Sequence, residues 1–438
     1  MIPQVGPLKR LKLPTVAEAE LSNGLRVVVA RRPGIPRFEA RLVIPTARRT
    51  GADRARQGVL TRTLLSGTAS RSSVELAQQL QAMGATLDAF GDSDEVGLAG
   101  SALAPHLAPF LELLSDVVVR PSFPADEVEL NRERYRQELT LARSQPASAA
   151  REALLQRLYG DHPYGWGMPS DEAVDKVRPA ALRTFHGQRL QPQGSVLVIV
   201  GDVRPAATLQ LATDAFAGWA DGGKRVHLPA VTWSAPSPTV LIDRPGAVQS
   251  NVRIAGPAIG RTEPGYAALA LANLVFGGYF ISRLVENIRE RRGFTYSPGS
   301  GVHQHRFASH FSVQADVGTE VTAAALVEIR YELARMLVEP VQEAELLSAK
   351  RYLAGTLSMA IQTQSGLAAY LSLLASQNLP LEYLREFPAR AQALGVDDIR
   401  AAAAEHMAPR GLHTVLVGDA SAVRASLEAF EPIDVQGG

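Results

Sequence analysis

Two stretches of this chain carry side chains whose types and spacing suit chemistry. In "SRLVENIRERRGFTYSPGS" (282–300), Arg283, Arg289, Arg291 and Arg292 sit on or near a helix end with Glu286 and Glu290. Gly293 is placed to stop that helix, and Phe294-Thr295-Tyr296 predicts the start of a strand. Arg289 and Tyr296 then lie on either side of a helix-to-strand corner and could converge in space. An Arg and a Tyr held together give fixed donors suited to a carbonyl or an oxyanion. The same residues also fit a basic helix end that offsets the helix dipole, followed by a core tyrosine. The second stretch is "GVLTRTLLSGTASRSSVELAQQLQAMGATLDAF" (58–90). It reads as helix, turn, helix and strand, with the polar pair Thr61 and Arg62 among Val59, Leu60, Leu64 and Leu65.

Other chemistry is thinner. All nine histidines lie at or after His106, and "HQHRFASH" (303–310) is their densest cluster. His303 and His305 would share one face of a strand, which fits a metal pair or simply a packed or solvated strand face. No helical His pair at i, i+4 exists, so no zinc helix of the usual two-histidine type is present in either direction. A P-loop, a dinucleotide-binding glycine pattern, a nucleophile-elbow serine and an EF-hand loop are also missing. The chain has no cysteine, which removes thiolate catalysis, disulfides and Cys-type zinc sites together. Lys+Arg minus Asp+Glu is 45 − 44 = +1 over 438 residues, so no global field points to nucleic acid or an anionic membrane. "RERYR" (132–136) reads as the wet face of a helix. The longest apolar stretch, "YAALALANLVFGGYF" (266–280), is too short and Gly-rich for a membrane span and predicts a buried helix ending at Gly277-Gly278.

The elements that must position these residues fall into two similar sets. "GSVLVIVGDV" (194–203) and "GLHTVLVGDA" (411–420) are β-rich runs ending in Gly-Asp, and their glycines are 418 − 201 = 217 residues apart, about half the chain. Each follows a helix and a Pro-containing turn. A duplicated domain of this size follows. The stretch 220–238, rich in Gly, Pro and Ser, reads as the linker. We therefore expect an N-terminal domain over 1–222, a linker over 223–238 and a C-terminal domain over 239–438. Within the first half, Asn23-Gly24 signals a turn before a Val-rich strand, and Ser72-x-x-Glu75 is a capping box. "ATLDAF" and "EVGLAGSAL" predict a hairpin, and 126–145 predicts a long charged helix. This order favours an α+β fold: two duplicated domains, each a largely antiparallel sheet with helices packed on one face.

With these blocks in place, the chain resembles the pitrilysin, insulinase and mitochondrial-processing-peptidase superfamily of inverted-motif zinc peptidases. The resemblance is carried by "LSNGLRVVV", "LLSGTASRSSVELAQQLQAMGA", "VVVRPSFPADEVE", "YGDHPYG", "LQPQGSVLVIVGDV" and "SRLVENIRERRGFTYS", in that order along nearly the whole chain. It implies two halves facing each other across a cavity. Active members carry H-x-x-E-H on the helix before "LLxxGT", with two His ligands and a Glu base. Those positions fall here on Gly58, Thr61 and Arg62, and the third ligand, a Glu on a later helix, falls near Glu138. Gly has no ligand atom, Thr is no base near neutral pH, and Arg would repel Zn²⁺. The resemblance thus implies a degenerate zinc site with no metal in this chain. The family's Arg/Tyr pair, which holds the substrate backbone, matches Arg289 and Tyr296.

The implied role is the non-catalytic subunit of a heteromeric zinc peptidase. It would bind a peptide and pair with a homologous, zinc-bearing subunit that supplies Zn²⁺, without nucleic acid or a transmembrane segment. The alternative is a structural core-type subunit of a larger, respiratory-like complex. Analogy with bacterial two-subunit members favours the periplasm, with the cytoplasm as the alternative.

Overall fold

The computed structural model describes residues 11–46, 50–220 and 228–437. The strands are β1 (Thr15–Glu20), β2 (Arg26–Arg31), β3 (Arg37–Pro45), β4 (Thr86–Gly91), β5 (Glu95–Leu103) and β6 (Val196–Gly201) in one sheet. The other sheet holds β7 (Thr239–Asp243), β8 (Gln249–Ala258), β9 (Gly299–Gln304), β10 (Ser309–Gly318), β11 (His413–Gly418) and β12 (Ile433–Gly437). The sheet orders are β1-β2-β6-β3-β5-β4 and β12-β7-β11-β8-β10-β9.

The duplication is plain in this topology. β6 runs parallel to β2 and antiparallel to β3, while β11 runs parallel to β7 and antiparallel to β8. The hairpins β4–β5 and β9–β10 follow in equivalent places. Only the outer edge differs. β1 precedes its neighbour in the chain and runs antiparallel to it, whereas β12 comes last and runs parallel. The fold is α+β, with two mixed sheets and two domains.

Local signals explain most elements. Gly24 adopts φ +84°, as the β1–β2 turn requires, and the Asn23 side chain accepts the Leu25 amide at 3.1 Å. Ser72 and Glu75 form the capping box of the helix Ser73–Ala82. The Asp92 carboxylate closes the β4–β5 turn by accepting from the amides of Asp94 and Glu95. The predicted charged helix spans Ala125–Ser144. The apolar stretch from Tyr266 is core: Leu271, Ala272, Val275 and Phe276 pack behind the second sheet with Phe311 and Val313. By length and composition the run Tyr266–Arg291 would also pass for a membrane span, but most of that segment is buried against its own sheet. Its helix gives way to π-helical turns at Leu274–Gly278 and again at Glu286–Arg291. Phe294-Thr295-Tyr296 does not start a strand. These residues remain in the turn, because the chain must first clear the π-helical turns, and β9 begins at Gly299.

The compact units are not two consecutive halves of the chain. One comprises Met1–Glu138, Pro169–Leu228 and Gly355–Arg385. The other comprises Leu139–Met168, Pro229–Ala354 and Glu386–Gly438. Of the expected linker, residues 223–227 lie outside the described residues, and 229–238 belong to the second unit. The reason is visible in the sheet centres. All six positions of β6 and all six of β11 are buried, so both faces of each strand are covered. In the first unit, the helix Gln364–Ser376 packs on β3 and β6. In the second, the helix Pro146–Tyr159 packs on β8 and β11. Each cover comes from the far half of the sequence.

Candidate functional site

Gly58, Thr61 and Arg62, the positions that the resemblance assigns to the zinc motif, lie on the helix Gly51–Thr63, capped by the Thr50 hydroxyl, which accepts the Asp53 amide. The turn that follows it is fixed from below. The Asp116 carboxylate, fully buried, accepts hydrogen bonds from Thr68 at 2.5 Å, Ser70 at 2.7 Å and Arg71 at 2.5 Å. Burial alone would raise its pKa, but these donors outweigh burial and hold it below the ordinary carboxylate value. This turn is tied to the helix Ala125–Ser144, whose Asn131 donates to Ser66 at 3.2 Å.

Where the helices meet, every motif position is committed. The Thr61 hydroxyl donates to the Gln57 carbonyl at 2.7 Å. Arg62 donates from Nη1 to the Gly58 carbonyl at 2.8 Å and from Nε to Glu138 Oε2 at 3.1 Å, with Nη2 on the same carboxylate oxygen. Its guanidinium lies 4.1 Å from the centre of the Tyr135 ring. That ring occupies the space beside Gly58: a Cβ there would come within 2.4 Å of it. The structure therefore brings Gly58, Thr61, Arg62 and Glu138 together, as the resemblance implies. The set does not fit a catalytic zinc. Glu138 is the one anionic donor in it, and that donor is neutralised by Arg62. Among the described residues, no group of three or more His, Cys, Asp or Glu side chains is disposed to hold a metal. Tyr135 is the residue that sequence reasoning missed. "RERYR" read as a solvated face, yet Tyr135 is only 9% exposed. Its place every third or fourth residue from Asn131 and Glu138 was the available signal.

Of the four arginines in the stretch 282–300, three are absorbed by structure. Arg283 is buried and donates to both oxygens of Glu345 at 2.8 Å. Arg291 pairs with Glu286, and Arg292 with Glu328. Arg289 differs. Its pairing among the described residues is with its chain neighbour Glu290 at 3.2 Å, and its guanidinium lies over the Phe280 ring at 4.6 Å. Phe280 is itself 62% exposed. Tyr296 is 90% exposed, so it is not a core tyrosine. Arg289 and Tyr296 are not hydrogen-bonded to each other. Thr295, between them, is buried and donates to the Asp316 carbonyl at 2.5 Å, which pins the turn.

The histidine cluster resolves into packing. β9 ends at Gln304, so His305 lies in the turn and does not continue the strand face of His303. His303 and His310 are paired across β9–β10, with ring centres 4.9 Å apart and nearly parallel. Tyr159 lies 2.9 Å from His310 Nδ1, and Tyr164 stacks on His305 at 4.1 Å. Burial first, then His303, His305 and Arg151, push the His310 pKa down to about 2. In "YGDHPYG", His162 Nδ1 accepts the Tyr164 amide and Nε2 contacts the Pro229 carbonyl, so this motif ties a turn to the incoming chain.

Comparison with known proteins agrees with this reading of the fold. Residues 57–168 match the family model described as Insulinase (Peptidase family M16), and residues 176–353 match that described as Peptidase M16 inactive domain. A protein of Mycobacterium tuberculosis named an uncharacterized zinc protease is 28% identical over 350 residues, covering 79% of this chain and 80% of its own. One of Streptomyces coelicolor with the same description is 22% identical and covers 90% of this chain and 88% of its own. A peptidase M16 inactive domain from Pseudomonas fluorescens superposes with a TM-score of 0.85 at 25% identity, over 92% of this chain and 98% of that one. A protease from Helicobacter pylori gives 0.86 at 19% identity, over 93% and 100%, a likeness of fold. Two family models in their proper order, on two sheets of equivalent topology, lead to one conclusion: the chain belongs to the M16 peptidase family.

Proposed function

We propose that this chain is the non-catalytic subunit of a heteromeric M16 zinc peptidase. Its zinc partner would be a homologous subunit with an intact motif, and this chain would close the proteolytic chamber and offer Arg289 and Tyr296 to the peptide. The observation that carries the reading is the contrast between the two sites. At the motif helix, each polar group is satisfied internally by Gln57, Gly58, Tyr135 or Glu138. At the other site, Tyr296 stands in solvent and Arg289 keeps about a third of its side chain exposed, stacked on an exposed ring. Exposing an aromatic hydroxyl and a guanidinium without strong partners is what a binding surface needs and a core does not.

In such a complex the partner's motif residues would hold the zinc and supply the activated water, and the peptide carbonyl under attack would gain negative charge. This chain's part is to hold the substrate backbone through the Tyr296 hydroxyl and the planar Arg289 fork, and to keep water out.

The test is reconstitution with a zinc-bearing homologue and a fluorogenic peptide. Tyr296→Phe removes one hydroxyl and keeps the ring. Arg289→Lys keeps the charge and loses the fork. Each variant is expected to assemble normally and to lose at least about tenfold in kcat/KM, roughly 1.4 kcal/mol of transition-state binding. Near-normal turnover by the double variant in an intact complex would reject the role. Stoichiometric zinc and chelator-sensitive turnover by the isolated chain would reject the non-catalytic assignment.

A further inference from the structure

The motif helix holds more than an absence of ligands. Gly58 exposes its helix backbone directly to the Tyr135 ring, and any Cβ at that position would meet ring atoms at 2.4 and 2.5 Å and the hydroxyl oxygen at 2.6 Å. The ring cannot retreat cheaply, because it is 9% exposed and its face is covered by the Arg62 guanidinium at 4.1 Å. That guanidinium also supplies the positive charge that Glu138 faces, through Nε at 3.1 Å and Nη2, and it anchors to the Gly58 carbonyl at 2.8 Å. Four residues on two helices thus satisfy one another. A carboxylate has its cation, a cation has its π face, and the ring has the space of a missing side chain.

We propose that Arg62 and Tyr135 replace the metal physically, as an internal cation and a ring that fills the first ligand's place. The site is therefore closed to zinc even when the motif residues are restored. A histidine at position 58 needs the volume that Tyr135 occupies, so Tyr135, which is no part of the motif, decides whether zinc can enter. The proposal concerns metal uptake by this chain alone. It stands or falls independently of whether Arg289 and Tyr296 touch a peptide.

Two measurements test it. The first is a thermal-melting cycle of Gly58→Ala and Tyr135→Leu on the full chain. Alanine in place of an interior helical glycine raises helix propensity, so in open space it stabilises. Gly58→Ala is expected to lower Tm when Tyr135 is present and to raise it in the Tyr135→Leu background. A rise in both backgrounds would overturn the proposal. The second is equilibrium dialysis against Zn²⁺ alone, with metal content and circular dichroism as readouts. The chain carrying Gly58→His, Thr61→Glu and Arg62→His is compared with the same chain carrying Tyr135→Leu in addition. The quadruple variant is expected to bind zinc at least about tenfold more tightly, the range by which residues around a metal's ligands alter affinity. Equal affinity, or no binding by either folded chain, would overturn the proposal. If the triple variant fails to fold and Tyr135→Leu restores folding, the steric assignment is supported, and if neither folds the melting cycle decides.

Discussion

Acid should loosen the second unit at one place, the β9–β10 hairpin, and His310 sets the size of the effect. In the fold this ring is 6% exposed, stacked against His303, within 5.8 Å of the His305 ring and close to the Arg151 charge. Its Nδ1 lies 2.9 Å from the Tyr159 hydroxyl, which donates to it in the neutral tautomer protonated at Nε2. All of these favour the neutral form, so the pKa falls from 6.5 to about 2. A histidine depressed in this way stabilises the fold fully above about pH 6.5. That stability drains away as the pH falls, because the opened hairpin takes up a proton that the closed one refuses. Between pH 6.5 and pH 5 the loss is about 1.5 × 1.36, or about 2 kcal/mol, from His310 alone. This figure does not depend on the folded value as long as that value lies well below 5. His303, whose pKa burial, Arg151 and His305 also lower, adds to the loss with the same sign. Hydrogen exchange of the amides in 299–318, corrected for intrinsic rates, reads the opening free energy at pH 7 and pH 5. His310→Gln keeps an acceptor toward Tyr159 and cannot titrate. It should remove about 2 kcal/mol of the pH dependence while leaving that of β4–β5 unchanged. Identical pH dependence in wild type and variant would refute the assignment.

Further outcomes follow from single contacts. Asp116→Asn should cost about 3 kcal/mol by calorimetry and speed exchange in the turn after Gly67, because the buried carboxylate accepts from Thr68, Ser70 and Arg71 at once. Gly201→Ala places a Cβ 2.4 Å from the Arg37 carbonyl and 2.6 Å from the Phe38 Cα, both backbone atoms that cannot turn away. It should therefore lower Tm by about 5–10 °C, and an unchanged Tm would mean that β3 and β6 can separate freely. Arg283→Met should leave Glu345 without its bidentate partner and cost about 3 kcal/mol in urea denaturation, whereas Arg283→Lys should recover only part of that.

What the sequence determined by itself was whatever is settled within a few residues. The Ser72–Glu75 capping box, the Asn23-Gly24 turn and the turn of the β4–β5 hairpin were legible because their hydrogen bonds are local. The duplication was legible because it repeats the same local signals half a chain apart. Once the family resemblance had located the motif positions Gly58, Thr61 and Arg62, their side-chain chemistry could be read as unfit for zinc. What fills their place could not. Tyr135 reaches Gly58 only because two helices, 77 residues apart at the contact, pack against each other in the fold. Pattern reading saw a tyrosine between charges and placed it in water. The same limit applies to the covers of β6 and β11. A strand buried on both faces announces that a second layer exists, but no periodicity says which helix supplies it. The helices Gln364–Ser376 and Pro146–Tyr159 do so from the far half of the chain. Tyr296 shows the reverse case, an aromatic that local pattern assigned to a strand. The π-helical turns at Glu286–Arg291 and the Thr295 anchor hold it in solvent instead. In each case the deciding energy comes from burial and contact between distant segments, which exist only once the backbone has closed on itself.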